Sequence, residues 1–170
     1  MNPKLRIGIL FLAGALLAAV IRIVLFANEP SDQALIKAAL EDSLQASKEG
    51  RPGGVLELLS NQFSVNETLS PSHRDISRYV RDFRPDIEIV QWNPDVRSDS
   101  ASVRSPAIVK FGFPVNQEVR ISEVALGFEK ESGVKWLLIP TKEWKLTSVT
   151  IPQESLQELV SNFPASQFGF

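Results

Sequence analysis

The hydrophobic pattern of the chain changes character twice, and each change predicts a different kind of element. A continuous apolar run of 21 residues begins at Ile7 and ends at Ala27, with Arg22 as its one charge. Helical spacing of apolar positions follows, and alternation with a period of two replaces it after Pro85. The pattern therefore predicts one apolar helix, then amphipathic helices, then strands.

The run from Ile7 to Ala27 is long enough to cross a bilayer as a helix. At about 1.5 Å per residue it would be roughly 31 Å long, close to the hydrocarbon thickness of a membrane. A cleaved signal peptide is the alternative, but the best cleavage site would place Leu25 where a small residue is needed. Arg22 lies near the outer end, where its side chain can reach the headgroups. We favour an uncleaved transmembrane anchor that has the lipid bilayer as its partner.

The charges beside this segment predict its orientation. Lys4 and Arg6 lie in a short basic tail of residues 1–6, whereas Glu29 follows the apolar run. Basic residues at the N-terminal flank favour leaving that end in the cytoplasm. We expect a single-pass protein of the inner membrane, with residues 28–170 forming one extracytoplasmic domain, which is periplasmic in a Gram-negative bacterium.

The first amphipathic helix is predicted over residues 31–49. Ile36, Leu40 and Leu44 fall on one face at intervals of four residues, which is typical of a helix that covers a core. The glycine-rich residues 51–54 are predicted to break this helix.

Three further helices are predicted. A short one covers residues 55–59 and is followed by extended chain at 62–65. Another covers residues 71–83, because Pro71 suits a first helical position. A last helix is predicted to begin at Pro152.

The alternating region predicts long strands with one apolar side. The apolar parity changes between Ile121 and Val124, as a β-bulge at residues 122–123 would produce. A hairpin turn is predicted at residues 131–133, and residues 140–143 are predicted to separate the last two strands. The predicted strands are 87–92, 103–113, 119–128, 134–139 and 144–151.

Helices followed by strands in meander order predict an α+β fold, with helices packed on a curved antiparallel sheet of four to five strands. This order resembles the nuclear transport factor 2-like superfamily, in the helices listed above, the extended Gln62-Phe63 and a late strand that opens with Trp144. The resemblance implies a cone-shaped domain. It also implies a superfamily that contains isomerases, dehydratases and cyclases as well as non-catalytic binding and assembly domains.

Composition limits the chemistry. The chain has no cysteine and one histidine, His73, so thiol catalysis and a thiolate or histidine-rich metal site within one chain are excluded. Beyond residue 27 there are 15 basic and 20 acidic residues, a net charge of −5, which does not suit a nucleic-acid partner. We expect no cofactor, no metal and no nucleic acid.

A few side chains are candidates for a ligand pocket in the cone. Glu123 at the bulge is the best-placed general base, although most glutamates are simply exposed. Tyr79 lies on the apolar face of the third helix, where core packing is the ordinary explanation. The aromatic candidates can likewise line a pocket or fill the core. The full set is Tyr79, Trp92, Phe111, Glu123 and Trp136.

A basic stripe is predicted on the third helix, since four arginines are spaced by four, three and three residues. It can bind an anion, lipid headgroups or an acidic partner. A solvated face is the alternative, because Asp75 and Asp82 partly neutralise it. The stripe consists of Arg74, Arg78, Arg81 and Arg84.

Enzymes of the superfamily usually carry aspartate, histidine or tyrosine in the cone, and the apolar strand faces here offer no acid/base pair. We therefore expect a membrane-tethered, non-catalytic binding or assembly domain that self-associates or binds a membrane-protein partner. The alternative is a small-molecule enzyme of the isomerase or dehydratase type, or a hydrophobic-ligand carrier, that uses the cone interior.

Overall fold

A computed structural model of the protein describes residues 30–112, 117–135, 139–155 and 157. The chain from Asp32 onward forms a compact unit by itself. The predicted anchor at residues 7–27 lies outside the described residues. Within the described part, no helix is long and apolar enough to cross a membrane.

From residue 30 onward, three helices precede the long strands. They are α1 (Asp32–Lys48), α2 (Pro52–Leu58) and α3 (His73–Phe83). α1 buries Ile36 and Leu40, as the spacing of its apolar residues predicted. α3 is capped by Ser72, whose Oγ accepts a hydrogen bond from the amide of Asp75, and this cap explains why the helix begins two residues after Pro71.

The predicted break after the first helix is present but is shorter and earlier than expected: α1 ends at Lys48, residues 49–51 are not helical, and α2 begins at Pro52 and includes both glycines. A proline suits a first helical position, since its missing N–H would have no partner there. Gly54 allows α2 to lie close to α1, and a Cβ at this position would be only 2.6 Å from the Cβ of Ala46. Gly54 therefore serves a helix–helix contact, whereas a Cβ at Gly53 would meet nothing within 4 Å.

The part of the sheet that the structure describes has six strands, in the order β1-β6-β5-β4-β2, and the short β3 also pairs with β4. The prediction of an antiparallel sheet is wrong in one respect, because β1 pairs with β6 in parallel and the curved sheet is mixed. β3 was not predicted, since three residues are too few to show a period. The strands are β1 (Leu59–Val65), β2 (Asp86–Ile89), β3 (Asp95–Arg97), β4 (Ser100–Phe111), β5 (Gln117–Lys135) and β6 (Ile139–Thr150).

The predicted bulge is confirmed. Ser105 pairs with Val124 and Ala107 with Ile121, so two residues of β5 lie opposite the single Pro106 of β4. A proline has no N–H to give to the ladder, which makes this a favourable place for an irregular pair. The bulge changes the parity of β5, so that apolar side chains on both sides of it face the helices.

The predicted turn at residues 131–133 is wrong, as is the break at 140–143. β5 and β6 remain paired through Gly133–Thr141 to Lys135–Ile139. The continuous ladder satisfies the backbone here and outweighs the turn preference of a Glu-Ser-Gly sequence. Of the last predicted helix, residues 153–155 and 157 are helical, and the rest lies outside the described residues.

Candidate functional site

The inner face of the sheet is filled by apolar side chains under α1. The inner face has apolar residues on β4 and on both sides of the bulge in β5. One example from each is Val103 at 0% exposed, Val119 at 1% and Phe128 at 1%. Ile36 of α1 is 0% exposed and belongs to the same core. The interior of the cone is therefore occupied by packed hydrocarbon along the described strands.

Three of the aromatic candidates, Tyr79, Trp92 and Phe111, belong to this core. The ring of Tyr79 lies edge-on to Phe111 at 6.4 Å between centroids and tilted to Phe83 at 5.2 Å. Burial raises the pKa of the Tyr79 hydroxyl above its ordinary value of 10.0, which makes its ionised form still less accessible. Trp92 is half-buried against the same cluster. Trp136 lies outside the described residues.

The two acid/base candidates lie at the surface. The bulge exposes Glu123 together with Ser122, and His73 is exposed in the first turn of α3. Within the described ranges, the buried polar residues are all serines: Ser43, Ser47, Ser60, Ser105 and Ser155. The hydroxyl of Ser105 accepts a hydrogen bond from the amide of Gln91 and donates one to the carbonyl of Pro106. No acid/base pair is thus brought into the core by these residues.

One polar cluster at the N-terminal end of α1 was not predicted. The carboxylate of Asp32 accepts two hydrogen bonds, from Lys130 Nζ at 3.0 Å and from the indole nitrogen of Trp144 at 3.0 Å. The same ammonium group lies 5.0 Å from the centroid of the Trp144 ring. The Lys130 side chain is only 19% exposed. The cluster connects the start of α1 to the hairpin of β5 and β6.

The hydrogen bond from Lys130 lowers the pKa of Asp32, and burial opposes this shift without reversing it. A carboxylate held ionised between a cation and an indole stabilises the fold and is a poor general base near neutral pH. The sequence carries one signal for this cluster. Side chains alternate between the two faces of a strand, and Lys130 falls on the same face as Val124, Leu126 and Phe128. The alternation therefore indicates that this lysine lies on the buried side of β5.

The four arginines of the predicted stripe do not form one continuous surface. Arg74, Arg78 and Arg81 are exposed on α3, whereas Arg84 follows the helix in a left-handed conformation with φ 45°. Only Arg81 and Arg84 line an open pocket of about 630 Å³, which also receives Lys48 of α1 and Lys110 of β4. The basic residues brought together therefore come from three elements, and two of them were not predicted.

A second open pocket, of about 680 Å³, lies between α1, α2 and β6. Trp144 and Leu35 form apolar parts of its wall. Of its two lysines, Lys145 forms an ion pair with Glu143 at 3.1 Å and donates a hydrogen bond to the carbonyl of Glu57 at 2.6 Å, and Lys142 lies 3.4 Å from Asp99. The charges around this pocket are thus already paired in part.

No protein-family model matches the sequence, and no curated protein matches it either. Several solved structures are similar in fold. A candidate ketosteroid isomerase from Shewanella frigidimarina is 12% identical, with a TM-score of 0.52 over 68% of this chain and 93% of that chain. A conserved protein from Planctomyces limnophilus is 11% identical, with a TM-score of 0.53 over 70% and 93% of the two chains.

A candidate aromatic ring hydroxylase from Novosphingobium aromaticivorans is 17% identical, with a TM-score of 0.50 over 71% of this chain and 87% of that chain. At such identities the likeness shows the fold alone. The domain has the nuclear transport factor 2-like fold that the order of its elements indicated.

Proposed function

We propose that this protein is a non-catalytic binding and assembly domain, tethered to a membrane through residues 7–27 and exposed on the extracytoplasmic side. One observation supports the non-catalytic part above all: the inner face of the described sheet is filled with apolar side chains. Val103, Val119 and Phe128 are almost fully buried, while Glu123 and His73 face solvent. An acid/base reaction needs such groups within hydrogen-bond reach of a bound substrate.

A small-molecule enzyme or a hydrophobic-ligand carrier is the second candidate. The similarity in fold to a candidate ketosteroid isomerase favours it. The filled interior argues against it. A binding experiment distinguishes the non-catalytic domain from the enzyme or carrier. Nile red added to the fragment 28–170 should show no saturable fluorescence increase if the interior is filled. A stoichiometric increase would favour the carrier or the enzyme.

The outer face of the sheet is our candidate for the assembly surface. Arg104, Ala125 and Thr150 are direct neighbours across β4, β5 and β6, and Gly127 lies between Ser102 and Ser148 in the next row. Apart from Arg104, which is exposed, these side chains are short, and a second sheet can pack against such a surface at about 10 Å. A tether also raises the local concentration of the domain, which favours self-association.

Cross-linking can test this surface because the chain has no cysteine. Arg104→Cys places a thiol on the outer sheet face, and Lys37→Cys places one on the exposed side of α1. With the full chain in membranes, a short bis-maleimide should give dimers for Arg104→Cys and few for Lys37→Cys. Monomers for both variants, or equal yields, would contradict assembly through the sheet.

The tether and its orientation need a separate test. In spheroplasts, an impermeant maleimide should label Lys37→Cys in the membrane fraction. A cysteine in the basic tail, Asn2→Cys, should react only after lysis. Labelling of Asn2→Cys in intact spheroplasts would overturn the orientation, and recovery of the chain in the soluble fraction would overturn the tether.

A further inference from the structure

The open pocket at the C-terminal end of α3 gathers charge from three parts of the fold. Arg81 and Arg84 come from α3 and the residue after it, Lys48 from the end of α1, and Lys110 from the end of β4. Asp82 and Asp86 also lie in its wall. Four basic and two acidic side chains give the lining a net charge of +2.

The basic side chains of this pocket differ in how closely they are paired with carboxylates. Lys48 Nζ is 2.8 Å from a carboxylate oxygen of Asp86, so these two charges neutralise each other. Lys110 lies 3.6 Å from Glu88, a looser and exposed pair. Arg81 and Arg84 form no ion pair with any residue that the structure describes. The positive charge that is not in a close ion pair therefore comes from Arg81, Arg84 and, more weakly, Lys110, with Asp82 as the remaining carboxylate of the lining.

Arg84 is held in position despite its exposure. Its amide donates a hydrogen bond to the carbonyl of Val80, and the next residue, Pro85, accepts one from the Ser47 hydroxyl at 2.9 Å. Its side chain lies against Gly50, where an added Cβ would be 2.9 Å from Arg84 Nε. Gly50 has φ +70°, which also favours glycine. Gly50 thus leaves room for the Arg84 side chain, whose guanidinium group has no carboxylate partner in the described chain.

The floor of the pocket is aromatic. Phe83 and Phe111 line it, and Phe111 is 4% exposed because it belongs to the core. A guanidinium group binds the oxygens of phosphate or carboxylate through paired hydrogen bonds. A net charge of +2 suits a phosphate monoester, which carries nearly two negative charges at neutral pH, better than a single carboxylate.

We propose that this pocket binds a phosphate monoester with an apolar body. The phosphate contacts Arg81 and Arg84, Lys110 adds a third positive charge, and the apolar part lies on Phe83. The ligand can be a soluble phosphate ester or the headgroup of a phosphatidate lipid, since both offer the same chemistry. The site is separate from the outer sheet face, and it needs neither self-association nor the tether.

Calorimetric titration of the full chain in a neutral detergent tests this proposal with two probes. Phenyl phosphate represents the soluble ester, and dihexanoyl phosphatidate represents the lipid, with dihexanoyl phosphatidylcholine as its zwitterionic control. We expect saturable binding of one ligand per chain by at least one of the first two. The tighter of these identifies the source of the phosphate.

The chain offers a matched control for the charge. Arg81→Gln/Arg84→Gln should weaken binding about tenfold or more, since charged hydrogen bonds are lost. Arg74→Gln/Arg78→Gln removes the same charge from the same helix outside the pocket and should change binding less than about twofold. Arg84→Lys should bind with intermediate affinity, because the charge remains and the paired geometry is lost.

Three outcomes would overturn the proposal. They are the absence of saturable binding by either phosphate probe at millimolar concentration, an equal loss in the two double variants, and equal binding of phosphatidylcholine and phosphatidate. A failure of the sheet-face cross-linking would leave this titration unaffected, so the two proposals can be refuted separately.

Discussion

Two adjacent glycines of α2 have different surroundings, and the same substitution should act on them in opposite directions. A Cβ at Gly54 would lie 2.6 Å from the Cβ of Ala46, whereas nothing lies within 4 Å of a Cβ at Gly53. Ala46 is 1% exposed, and its methyl group cannot rotate away. If Gly54 gains a side chain, α1 and α2 must therefore move apart.

The magnitude follows from the contact distance. Non-bonded carbon atoms are in favourable contact at about 3.5–4.0 Å, so the two helices would have to separate by about 1 Å. Overpacking of this kind costs about 1–3 kcal/mol, and the better helix propensity of alanine returns at most about 1 kcal/mol. We expect Gly54→Ala to lower the free energy of unfolding by about 1–2 kcal/mol. Gly53→Ala should raise it by about 0.5 kcal/mol, because the alanine is unobstructed and restricts the unfolded chain.

Urea unfolding of the fragment 28–170 measures both values, with circular dichroism as the signal. The slope of the unfolding free energy against urea should be the same in both variants, so that the midpoints report stability alone. A stabilising Gly54→Ala would refute the close approach of α1 to α2. Destabilisation by Gly53→Ala of the same size would refute the assignment of the clash to one side of the helix.

Two further substitutions test the core and the polar cluster. Asp32→Asn should lower the free energy of unfolding by about 1 kcal/mol at pH 7, a value reduced by the partial exposure of the pair. Because Lys130 lowers the pKa of Asp32 below its ordinary value of 3.8, the contribution is present above that pH and is lost as the pH falls through the folded pKa. The variant and the parent should therefore converge in stability only once the pH is below the folded pKa, which lies under 3.8, and a constant difference in pH-dependent urea unfolding would contradict the ion pair. Phe128→Ala should lower the free energy of unfolding by about 3–5 kcal/mol, because it empties a core position. Glu123→Gln should lower it by less than about 0.5 kcal/mol, because the side chain is exposed. Similar urea midpoints for the two variants would refute the placement of Phe128 in the core and of Glu123 at the surface.

Local periodicity was sufficient for elements whose environment is uniform along their length. α1 has one buried face throughout, so the spacing of Ile36 and Leu40 predicted a helix, and the predicted bounds of 31–49 differ by one residue at each end from Asp32–Lys48. The bulge at residues 122–123 could be predicted because an extra residue in a strand with one buried face moves the apolar residues from odd to even positions in the sequence. The fold class followed from the order of these elements.

Features that depend on residues far apart in the sequence could not be predicted from local periodicity. The extended segment at residues 62–65 was predicted, but its parallel pairing with β6 depends on a strand some 80 residues later. The ion pair of Asp32 with Lys130 likewise joins residues that are 98 apart. The pocket cations Lys48 and Lys110 lie on different elements, and each by itself resembles an ordinary exposed lysine.

The far end of the β5–β6 hairpin has a consequence for how the domain opens. β4 accompanies β5 only as far as the Ser100–Glu129 pair, and β1 accompanies β6 only from Leu146 onward. From Lys130 to Lys135 the two strands are therefore a ribbon without a described strand on either side. Its amide hydrogens can exchange through local fraying, which leaves the sheet intact and costs less free energy than global unfolding. Amide-exchange protection should accordingly rise along β5 from the ribbon towards Leu126, with Lys130 and its ion pair marking the point where the domain begins to open as one unit.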